Sequence, residues 1–447
     1  MSNIIKIKKG LNLRLLGEAK GEASAIGRTS GDFALFPDDY CGITPKISKK
    51  EGEHVTAGET IIYDKWHNDL SIASPISGII SKITRGDRRK IMRIEIKADN
   101  EPQAPFKFDV SDLNPDKITK ILQHSGLWVH MRQRPYDIVP DPGKPARDIF
   151  ITTFDSSPLA VAQPLSGNRA SLFCKGVEIL SKLTKGTVYI GCRNDNYIET
   201  PNSTSYIIEG PHPAGNAGVQ IEAIKPVNKN EVVWTVDAET VIRIGGLFTT
   251  GQVDWTTTVA ITGECVKKPA ILKAVVGIAL KDLISGNLTE DPNACRIISG
   301  NVLTGVHEVL EGYLHHPFRQ ITVIPENAHT DEFMGWASLS PRKFSFSHCF
   351  WSWLESKSKR YHFDAKINGA ERAIIMAGEY DKVFPMDIYS EFLIKAILAK
   401  DIDKMEQLGI YEVAPEDFAL CEFIDTSKLE LQKIVREGLD FLRKEMN

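Results

Sequence analysis

The sequence predicts an α+β protein built from several modules. Its 447 residues exceed what one hydrophobic core usually organises. The spacing of apolar residues also changes along the chain. It alternates as in strands through residues 1–100, alternates between strand and helix patterns from Asp148, and becomes helical from about Asp387. We therefore expect four modules, at residues 1–100, 101–255, 256–330 and 331–447.

The first module contains two related half-motifs that predict a small β barrel. Gly52-x-x-Val55-x-x-Gly58 leads into the apolar run Thr60–Tyr63, and Ser74–Ile80 follows a polar tip. Glycines flanking short β-branched runs are typical of tight hairpins. The stretch resembles the barrel-sandwich hybrid of biotinyl and lipoyl carrier domains, whose modified lysine lies on the hairpin between the half-motifs.

Lys65 is the only lysine on this hairpin, and it is a weak match to a carrier lysine. Asn68-Asp69 gives a better turn signal than the position of Lys65, which is also farther from Pro75 than in the lipoyl pattern. We therefore expect an unmodified barrel used for packing or docking. A free-standing lipoyl- or biotinyl-type carrier, or another ligand-binding protein, is the alternative.

The second module shows the strand and helix order of a three-layer α/β domain. A helix is predicted over residues 113–128, with Pro115 near its start. The strand Ile149–Thr153, a helix over residues 169–183 and the strand Gly186–Gly191 follow. This β–α–β order favours helices packed on a central sheet.

The third and fourth modules are predicted to be a β-grasp unit and a set of helices. Thr258–Gly263 and Cys295–Gly300 are strand candidates, and the opening Gly263–Pro269 resembles that of soluble-ligand-binding β-grasp (SLBB) modules. Near the end, Thr426 or Ser427 could cap a helix. Its apolar stripe would comprise Leu431, Ile434, Val435, Leu439 and Leu442.

Composition excludes several classes of function. The net charge of −4 gives no indication of nucleic-acid binding, and no run approaches the ~18 apolar residues needed to span a bilayer. The N-terminus has no signal-peptide pattern. Seven cysteines without a Cys-x-x-Cys pair predict reduced thiols and no iron–sulfur cluster in this chain.

The order of the modules resembles the flavin-binding, NADH-oxidising subunits of respiratory complex I and of Rnf complexes. Over essentially the whole chain it is similar to the A-subunit family of bacterial Na+-translocating NADH:quinone reductases. The segments that carry this resemblance are Ile5–Leu13, Gly210–Gly215, Val232–Trp234, Ser299–Gly305, Gly335-Trp336 and Tyr380–Ile388.

The resemblance implies a peripheral subunit on the cytoplasmic side of the inner (plasma) membrane. Its partners would be the integral-membrane and flavoprotein subunits of the same complex. That complex would pass electrons from NADH to ubiquinone or menaquinone and export Na+. FAD, FMN, riboflavin and iron–sulfur centres would belong to the partner subunits.

The chain itself is predicted to hold no cofactor. Flavin-bearing relatives have a glycine-rich loop whose bare backbone approaches the flavin phosphate. The matching stretch here, Ser125–Tyr136, retains only Gly126 and carries bulky side chains such as His130 and Met131. We therefore expect this chain to lack a binding site for FMN and for the NADH that would stack on it. Near the C-terminus only Cys421 remains, and one thiolate cannot anchor a cluster. An active NADH-oxidising flavoprotein is the rival interpretation.

Four residues of that same stretch are candidates for a quinone headgroup, through stacking and hydrogen bonds: Trp128, Arg132, Arg134 and Tyr136. The alternative is that they fill the vacated flavin cavity. No catalytic residue and no metal site is predicted.

Three further features could be binding or docking sites, but for each of them a purely structural role is favoured or equally well supported. Gly245–Gly251 could cradle a phosphate, but a strand-to-loop turn is favoured. His212 and the pair His315-His316 are expected to be satisfied core or interface histidines. The aromatic run Phe344–Trp353 predicts either contact with a membrane partner or core packing.

Overall fold

The computed structural model describes residues 3–25, 31–99, 113–326, 344–346 and 358–446, together with positions 101, 103, 106 and 108. The strands of this part, β1 to β19 in chain order, are Asn3–Lys6, Ser24–Ala25, Asp32–Leu35, Pro45–Ile47, His54–Val55, Thr60–Asp64, Ser71–Ala73, Gly78–Arg85, Ile91–Ala98, Arg132–Arg134, Ile149–Thr152, Val188–Cys192, Ser203–Glu209, Val233–Asp237, Thr256–Thr262, Ala270–Val275, Cys295–Ser299, Val306–Glu308 and Gln320–Pro325. The helices, α1 to α9, are Pro115–His124, Gly167–Ser181, Ala217–Ile224, Ala238–Thr250, Leu280–Ile284, Ser390–Leu398, Ile402–Gln407, Ala419–Ile424 and Leu431–Met446.

The second module is a three-layer α/β domain around a six-stranded sheet of order β1-β13-β12-β11-β14-β10. The five strands from β1 to β14 run parallel, and the edge strand β10 is antiparallel to β14. Ile149 and Ile151 pack on one face with residues of α2 and α4, whereas Phe150 packs on the other face with Ile221 of α3. The predicted β–α–β order is therefore confirmed.

This strand order creates a topological switch point. Along the chain, β11, β12 and β13 are added in one direction, and β14 then lies on the opposite side of β11. The connections that leave the carboxyl ends of β11 and β14 consequently diverge. In open α/β sheets, ligands bind in the crevice at such a point.

Two glycines let α2 and α4 approach each other closely. A Cβ atom on Gly176 would lie 2.1 Å from the Val241 carbonyl oxygen, and one on Gly245 would lie 1.9 Å from the Leu172 carbonyl oxygen. Neither added Cβ atom could be accommodated unless the two helices moved apart. Gly245 and Gly246 lie inside α4, so the predicted strand-to-loop turn at Gly245–Gly251 is wrong. Gly245 is explained by the close packing of α4 against α2.

The barrel module consists of a four-stranded sheet, β3-β9-β8-β5, and a three-stranded sheet, β4-β6-β7. The hairpin between β6 and β7 turns at Asn68-Asp69, as predicted, with the Leu70 N–H bonded to the His67 carbonyl. The Asp64 carboxylate accepts hydrogen bonds from the backbone N–H groups of Thr44, Trp66 and His67. Lys65 thus lies at the base of a longer loop, not at a tight tip.

The β-grasp module has a sheet of order β18-β17-β19-β15-β16-β2, with α5 packed against it. The C-terminal helices pack together and onto Val219 of α3. The predicted stripe of the last helix is confirmed, because Leu431, Val435, Leu439 and Leu442 are fully buried. The predicted cap is wrong: α9 begins at Leu431, beyond Thr426 and Ser427.

Candidate functional site

A large cavity lies at the switch point. It has a volume of about 660 Å³, a size typical of small-molecule sites. Its floor is the carboxyl edge of the α/β sheet, with Thr152–Asp155 after β11 and Thr235–Ala238 at the end of β14. The β-grasp module contributes His316–Gln320, and the C-terminal module contributes Pro415, Glu416 and Gln432. We call this cavity the switch-point cleft.

Two of the four quinone candidates line the switch-point cleft. Arg132 and Arg134 are alternate residues of β10 and therefore share one face of that strand. Arg132 donates from Nη2 to the Asp39 carbonyl oxygen at 2.6 Å, and its Nη1 has no partner among the described residues.

Arg134 is fully buried and joins the α/β domain to the C-terminal module. Its Nη2 lies 3.4 Å from Glu416 Oε1 and its Nη1 lies 3.5 Å from Asp417 Oδ2. Burial acts to lower the pKa of Arg134, but the carboxylates of Asp137, Asp417 and Glu416 outweigh it, so the pKa is raised.

The Glu416 side chain is partly exposed and opens onto the cleft, with protein atoms packed around its carboxyl group. Burial, and then the charge of Asp417, raise the pKa of Glu416 to about 8. The carboxylate of Asp417 packs against the first turn of α3, where Gly218 leaves room for it: a Cβ there would lie 2.4 Å from Asp417 Oδ2. The C-terminal module thus closes one end of the cleft with a carboxylate pair.

The other two candidates lie away from the cleft lining. Trp128 is fully buried, donates from its indole N–H to the Pro140 carbonyl at 2.9 Å and meets Trp234 edge-to-face at 5.1 Å. Tyr136 packs edge-to-face against Tyr411 at 6.3 Å. In this arrangement both rings are packing residues between secondary-structure elements.

Gly126 has a role in module packing. It adopts a φ of +75°, and a Cβ atom would lie 2.6 Å from that of Ala73 in the barrel. The neighbouring Ser71 hydroxyl donates to the Gln123 carbonyl at 2.7 Å. The glycine that survives from the loop of flavin-bearing relatives therefore faces the barrel hairpin. Trp128 and Met131 fill the adjoining space, both fully buried, so the residues present do not fit a flavin phosphate.

Of the histidines predicted to lie in a core or interface, His212 and His315 are buried and His316 is half-buried; His212 and His316 line the cleft. His212 bonds through Nδ1 to the Ser156 hydroxyl at 3.0 Å, and burial lowers its pKa to about 4. Burial also lowers the pKa of His316 well below its ordinary value. Among the described residues, no cluster of three or more histidines, cysteines or carboxylates is placed to hold a metal ion.

His315 points away from the cleft and joins two modules. Its ring nitrogens lie 2.8 Å from Asp39 Oδ1 of the barrel module and 2.9 Å from Glu308 Oε1 of the β-grasp module. Burial acts to lower the pKa of His315, but the hydrogen bonds to these two carboxylates raise it to about 9. At Asp39 burial is the stronger effect, and the pKa of that carboxyl is raised as well.

Sequence reasoning missed several residues that the fold brings to the cleft. Arg193 follows β12, and His212, which was expected only as a core or interface residue, follows β13; a correct strand order would have placed both at the carboxyl edge of the sheet. Glu416 and Arg319 come from other modules, and no local pattern marks them. The aromatic run Phe344–Trp353 lies mostly outside the described residues; Phe344 itself packs against Tyr361 and Phe363.

These features define a multi-module α+β protein with a ligand-sized cleft between its domains. Family models match in three consecutive stretches: the "NqrA N-terminal barrel-sandwich hybrid domain" at residues 5–99, the "NqrA second alpha/beta domain" at residues 113–253 and the "NQRA C-terminal domain" at residues 258–308. They agree with the barrel-sandwich, α/β and SLBB-like architecture predicted from the sequence.

Full-length relatives point to the same family. Two proteins named as the A subunit of Na(+)-translocating NADH-quinone reductase, from Yersinia pestis and Photorhabdus laumondii, are 34% identical over 99% of this chain and 100% of their own length. The protein of that name from Vibrio parahaemolyticus is 33% identical over the same shares. The chain therefore belongs to the A-subunit family of Na+-translocating NADH-quinone reductases.

Among solved structures, a chain of an NAD+-reducing [NiFe]-hydrogenase aligns over 47% of each chain at 12% identity, with a TM-score of 0.31. That likeness is too low to assign a fold. Within the described residues, none of the helices combines the length and apolar character needed to cross a bilayer.

Proposed function

We propose that this chain serves as the peripheral A subunit of a Na+-pumping NADH:quinone reductase. The observation that carries this proposal is the identity of 34% to proteins of that name across the full length of both chains. The complex would transfer electrons from NADH to ubiquinone or menaquinone and couple the transfer to Na+ export. The chain would lie on the cytoplasmic face of the inner membrane, bound to integral-membrane and flavoprotein subunits.

The chain would act without a resident cofactor or catalytic residue of its own. The support is steric: large buried side chains fill the stretch where flavin-bearing relatives have glycines, and Gly126 packs against the barrel. NADH, FAD, FMN, riboflavin and iron–sulfur centres would then be bound by partner subunits. The four-module division at residues 1–100, 101–255, 256–330 and 331–447 belongs to this proposal, with β1 contributed to the second module.

The switch-point cleft would shape quinone access, with Arg132 and Arg134 as hydrogen-bond donors to a quinone headgroup. Of the four candidates these two face the cleft, whereas Trp128 and Tyr136 would support the wall from behind. A carbonyl oxygen is a suitable partner for a guanidinium because it accepts without adding charge.

Mild-detergent purification from native membranes tests whether the chain belongs to such a complex. We expect a stoichiometric assembly with integral-membrane flavoprotein subunits. The purified chain alone should be colourless, and its intact mass should show no adduct on Lys65. Stoichiometric flavin with NADH-bleachable absorbance would refute the cofactor-free role, and a lipoyl or biotinyl adduct would favour the carrier alternative.

Quinone binding to the isolated full-length chain tests the cleft. Arg132→Met should weaken the binding of a short-chain ubiquinone analogue about tenfold, the loss expected for one hydrogen bond to a charged donor. Arg88→Met, on the exposed surface of the barrel module, is the control. Equal affinity of the two variants would remove Arg132 from the proposed site.

A further inference from the structure

The end of the switch-point cleft that the C-terminal module closes combines hydrogen-bond donors with an acidic group. Arg132 and Arg134 of β10 line the cleft, and Glu416 lines it from the C-terminal module. The Oε1 atom of Glu416 lies 3.4 Å from Arg134 Nη2. Arg132 Nη1 and Arg134 Nε are buried donors without a partner among the described residues. A ligand held by Arg134 therefore also meets the carboxyl group of Glu416.

The backbone of Glu416 is held in place, whereas its carboxyl group keeps free hydrogen-bonding capacity. The Asn216 side chain donates from Nδ2 to the Glu416 carbonyl oxygen at 3.2 Å. The next residue, Asp417, accepts from the Ala414 N–H at 2.9 Å. The side chain of Glu416 is 44% exposed, and within the described part of the chain no hydrogen bond engages its Oε2 atom. One carboxyl oxygen is therefore left for a ligand in the cleft.

The charge of Glu416 changes close to neutral pH. Burial is the main cause, and the charge of Asp417 is the next, of a pKa raised to about 8. Arg134 acts in the opposite direction, and Asp137 and Asp155 add smaller increases. The carboxyl group is therefore mostly neutral at pH 7 and mostly ionised at pH 9.

The histidines around the cleft do not share this titration. Burial lowers the pKa of His212 to about 4 and that of His130 to about 3, and it lowers the pKa of His316 well below its ordinary value. His315 has a pKa of about 9, but its ring contacts Asp39 and Glu308 and does not line the cleft. Between pH 6.5 and 8.5, Glu416 is therefore the group of the cleft lining whose hydrogen-bonding character we expect to change.

This change matters for a quinone because its two redox forms have different hydrogen-bonding groups. The carbonyl oxygens of the oxidised form only accept, whereas the hydroxyl groups of the hydroquinone donate and accept. A neutral Glu416 carboxyl offers an O–H donor beside Arg132 and Arg134, which suits a carbonyl oxygen. An ionised carboxylate only accepts, so it suits a hydroxyl and opposes a carbonyl oxygen. A phenolic hydroxyl still carries its proton at pH 9, since it ionises at about pH 10.

We propose that Glu416 makes the switch-point cleft distinguish the two redox forms of its quinone. The cleft binds the oxidised form when the carboxyl group is neutral and the hydroquinone when it is ionised. This inference rests on the proposed quinone role of the cleft, and it adds a residue outside the stretch that supplied the quinone candidates. No bond forms or breaks in the cleft: the two electrons and two protons that separate the two forms are exchanged at the redox centres of partner subunits.

The affinities of both forms at two pH values test the proposal. When a ligand binds only one state of Glu416, its apparent affinity is proportional to the fraction of protein in that state. With a pKa of about 8, the affinity for a short-chain ubiquinone analogue should fall about tenfold from pH 7 to pH 9. The affinity for its hydroquinone should rise about tenfold. Anaerobic calorimetry on the full-length chain measures both.

Two variants assign the effect to one carboxyl group. Glu416→Gln cannot ionise, so it should bind the oxidised form with the same affinity at pH 7 and pH 9, and its affinity for the hydroquinone should not rise. Glu430→Gln, which changes a carboxyl group that is 73% exposed and lies outside the cleft lining, should behave as the unchanged protein. Any pH dependence that remains in Glu416→Gln belongs to other groups, such as His315.

Proton uptake by the unchanged protein tests the same point without a variant, and it serves if Glu416→Gln folds poorly. At pH 8, calorimetry in two buffers of different ionisation enthalpy should show uptake of about half a proton with the oxidised form and release of about half a proton with the hydroquinone. Binding without proton exchange, or a pH dependence that Glu416→Gln retains in full, would overturn the inference and leave the quinone role standing. Failure of the unchanged protein to bind either form would overturn both.

Discussion

The close contact between α2 and α4 predicts opposite effects of one substitution at two adjacent positions. Gly245 faces α2, and a Cβ atom added there would lie 1.9 Å from the Leu172 carbonyl oxygen. Gly246 is next to it in the same helix and has no atom within 4 Å of its built Cβ. Alanine at either position removes the same backbone entropy cost of folding. The difference in stability between the two variants therefore measures the cost of the steric overlap with α2.

The magnitudes follow from the geometry. In Gly246→Ala the helix gains about 0.5–1 kcal/mol, because alanine loses less conformational freedom than glycine on folding. In Gly245→Ala the two helices must separate by more than about 1 Å to restore ordinary contact, and overpacking of this kind costs about 1–3 kcal/mol or more. Because the entropy gain is common to both variants, their free energies of unfolding should differ by the steric cost of about 1–3 kcal/mol or more, with Gly246→Ala the more stable.

Urea unfolding monitored by circular dichroism and tryptophan fluorescence measures this difference. The chain has several modules, so the comparison rests on the midpoint of the transition that includes the α/β domain. Equal midpoints for the two variants would show that α2 and α4 are not packed backbone to backbone. A stabilised Gly245→Ala would restore the loop interpretation of this stretch.

Three further changes test contacts described above. Asp64→Ala should destabilise the barrel by about 2–3 kcal/mol, because three backbone N–H groups lose their acceptor, and Asp64→Asn should cost less; urea midpoints measure both. Trp128→Ala should cost about 3–5 kcal/mol of stability, and normal stability with lost quinone affinity would instead make Trp128 a binding residue. His315 has its pKa raised to about 9 from 6.5, so its stabilising effect is complete below pH 6.5 and is lost as pH rises through 9. The full pKa shift of His315 corresponds to about 3 kcal/mol of stability, but the cost of burying Asp39 offsets part of it. The stability of the unchanged protein should therefore fall between pH 6.5 and 9.5, and His315→Gln should remove about 1–2 kcal/mol of that fall. Urea unfolding across this pH range measures the difference.

Patterns confined to one element were readable from the sequence. Asn114 and Pro115 begin α1 because the asparagine side chain accepts from the Lys117 N–H and proline fits the first helical turn. The stripe of α9 follows from helical periodicity alone. Gly245 shows the limit: a glycine pair indicates a need for space, but it does not say whether a ligand, a turn or another helix uses that space.

The candidate site depended on information that a local pattern does not contain. Arg132 and Arg134 were nominated from one stretch, but Trp128 and Tyr136 from the same stretch face other elements. The direction of the two arginine side chains is set by the pairing of β10 with β14, whereas Trp128 and Tyr136 lie outside that strand. The contacts of Arg134 with Glu416 and Asp417 are visible only once the modules are assembled, because they depend on which carboxylates the fold brings near.

The N-terminal segment has a consequence for how the protein is made. β1 pairs with β13, and β2 pairs with β16, whereas the barrel begins only at β3. β1 and β2 must therefore wait for partners that are synthesised roughly two hundred residues later. During that interval two strand edges remain open. Shortening the N-terminus would thus harm two distant sheets before it harmed the barrel that follows it, and a chaperone should contact the nascent chain early.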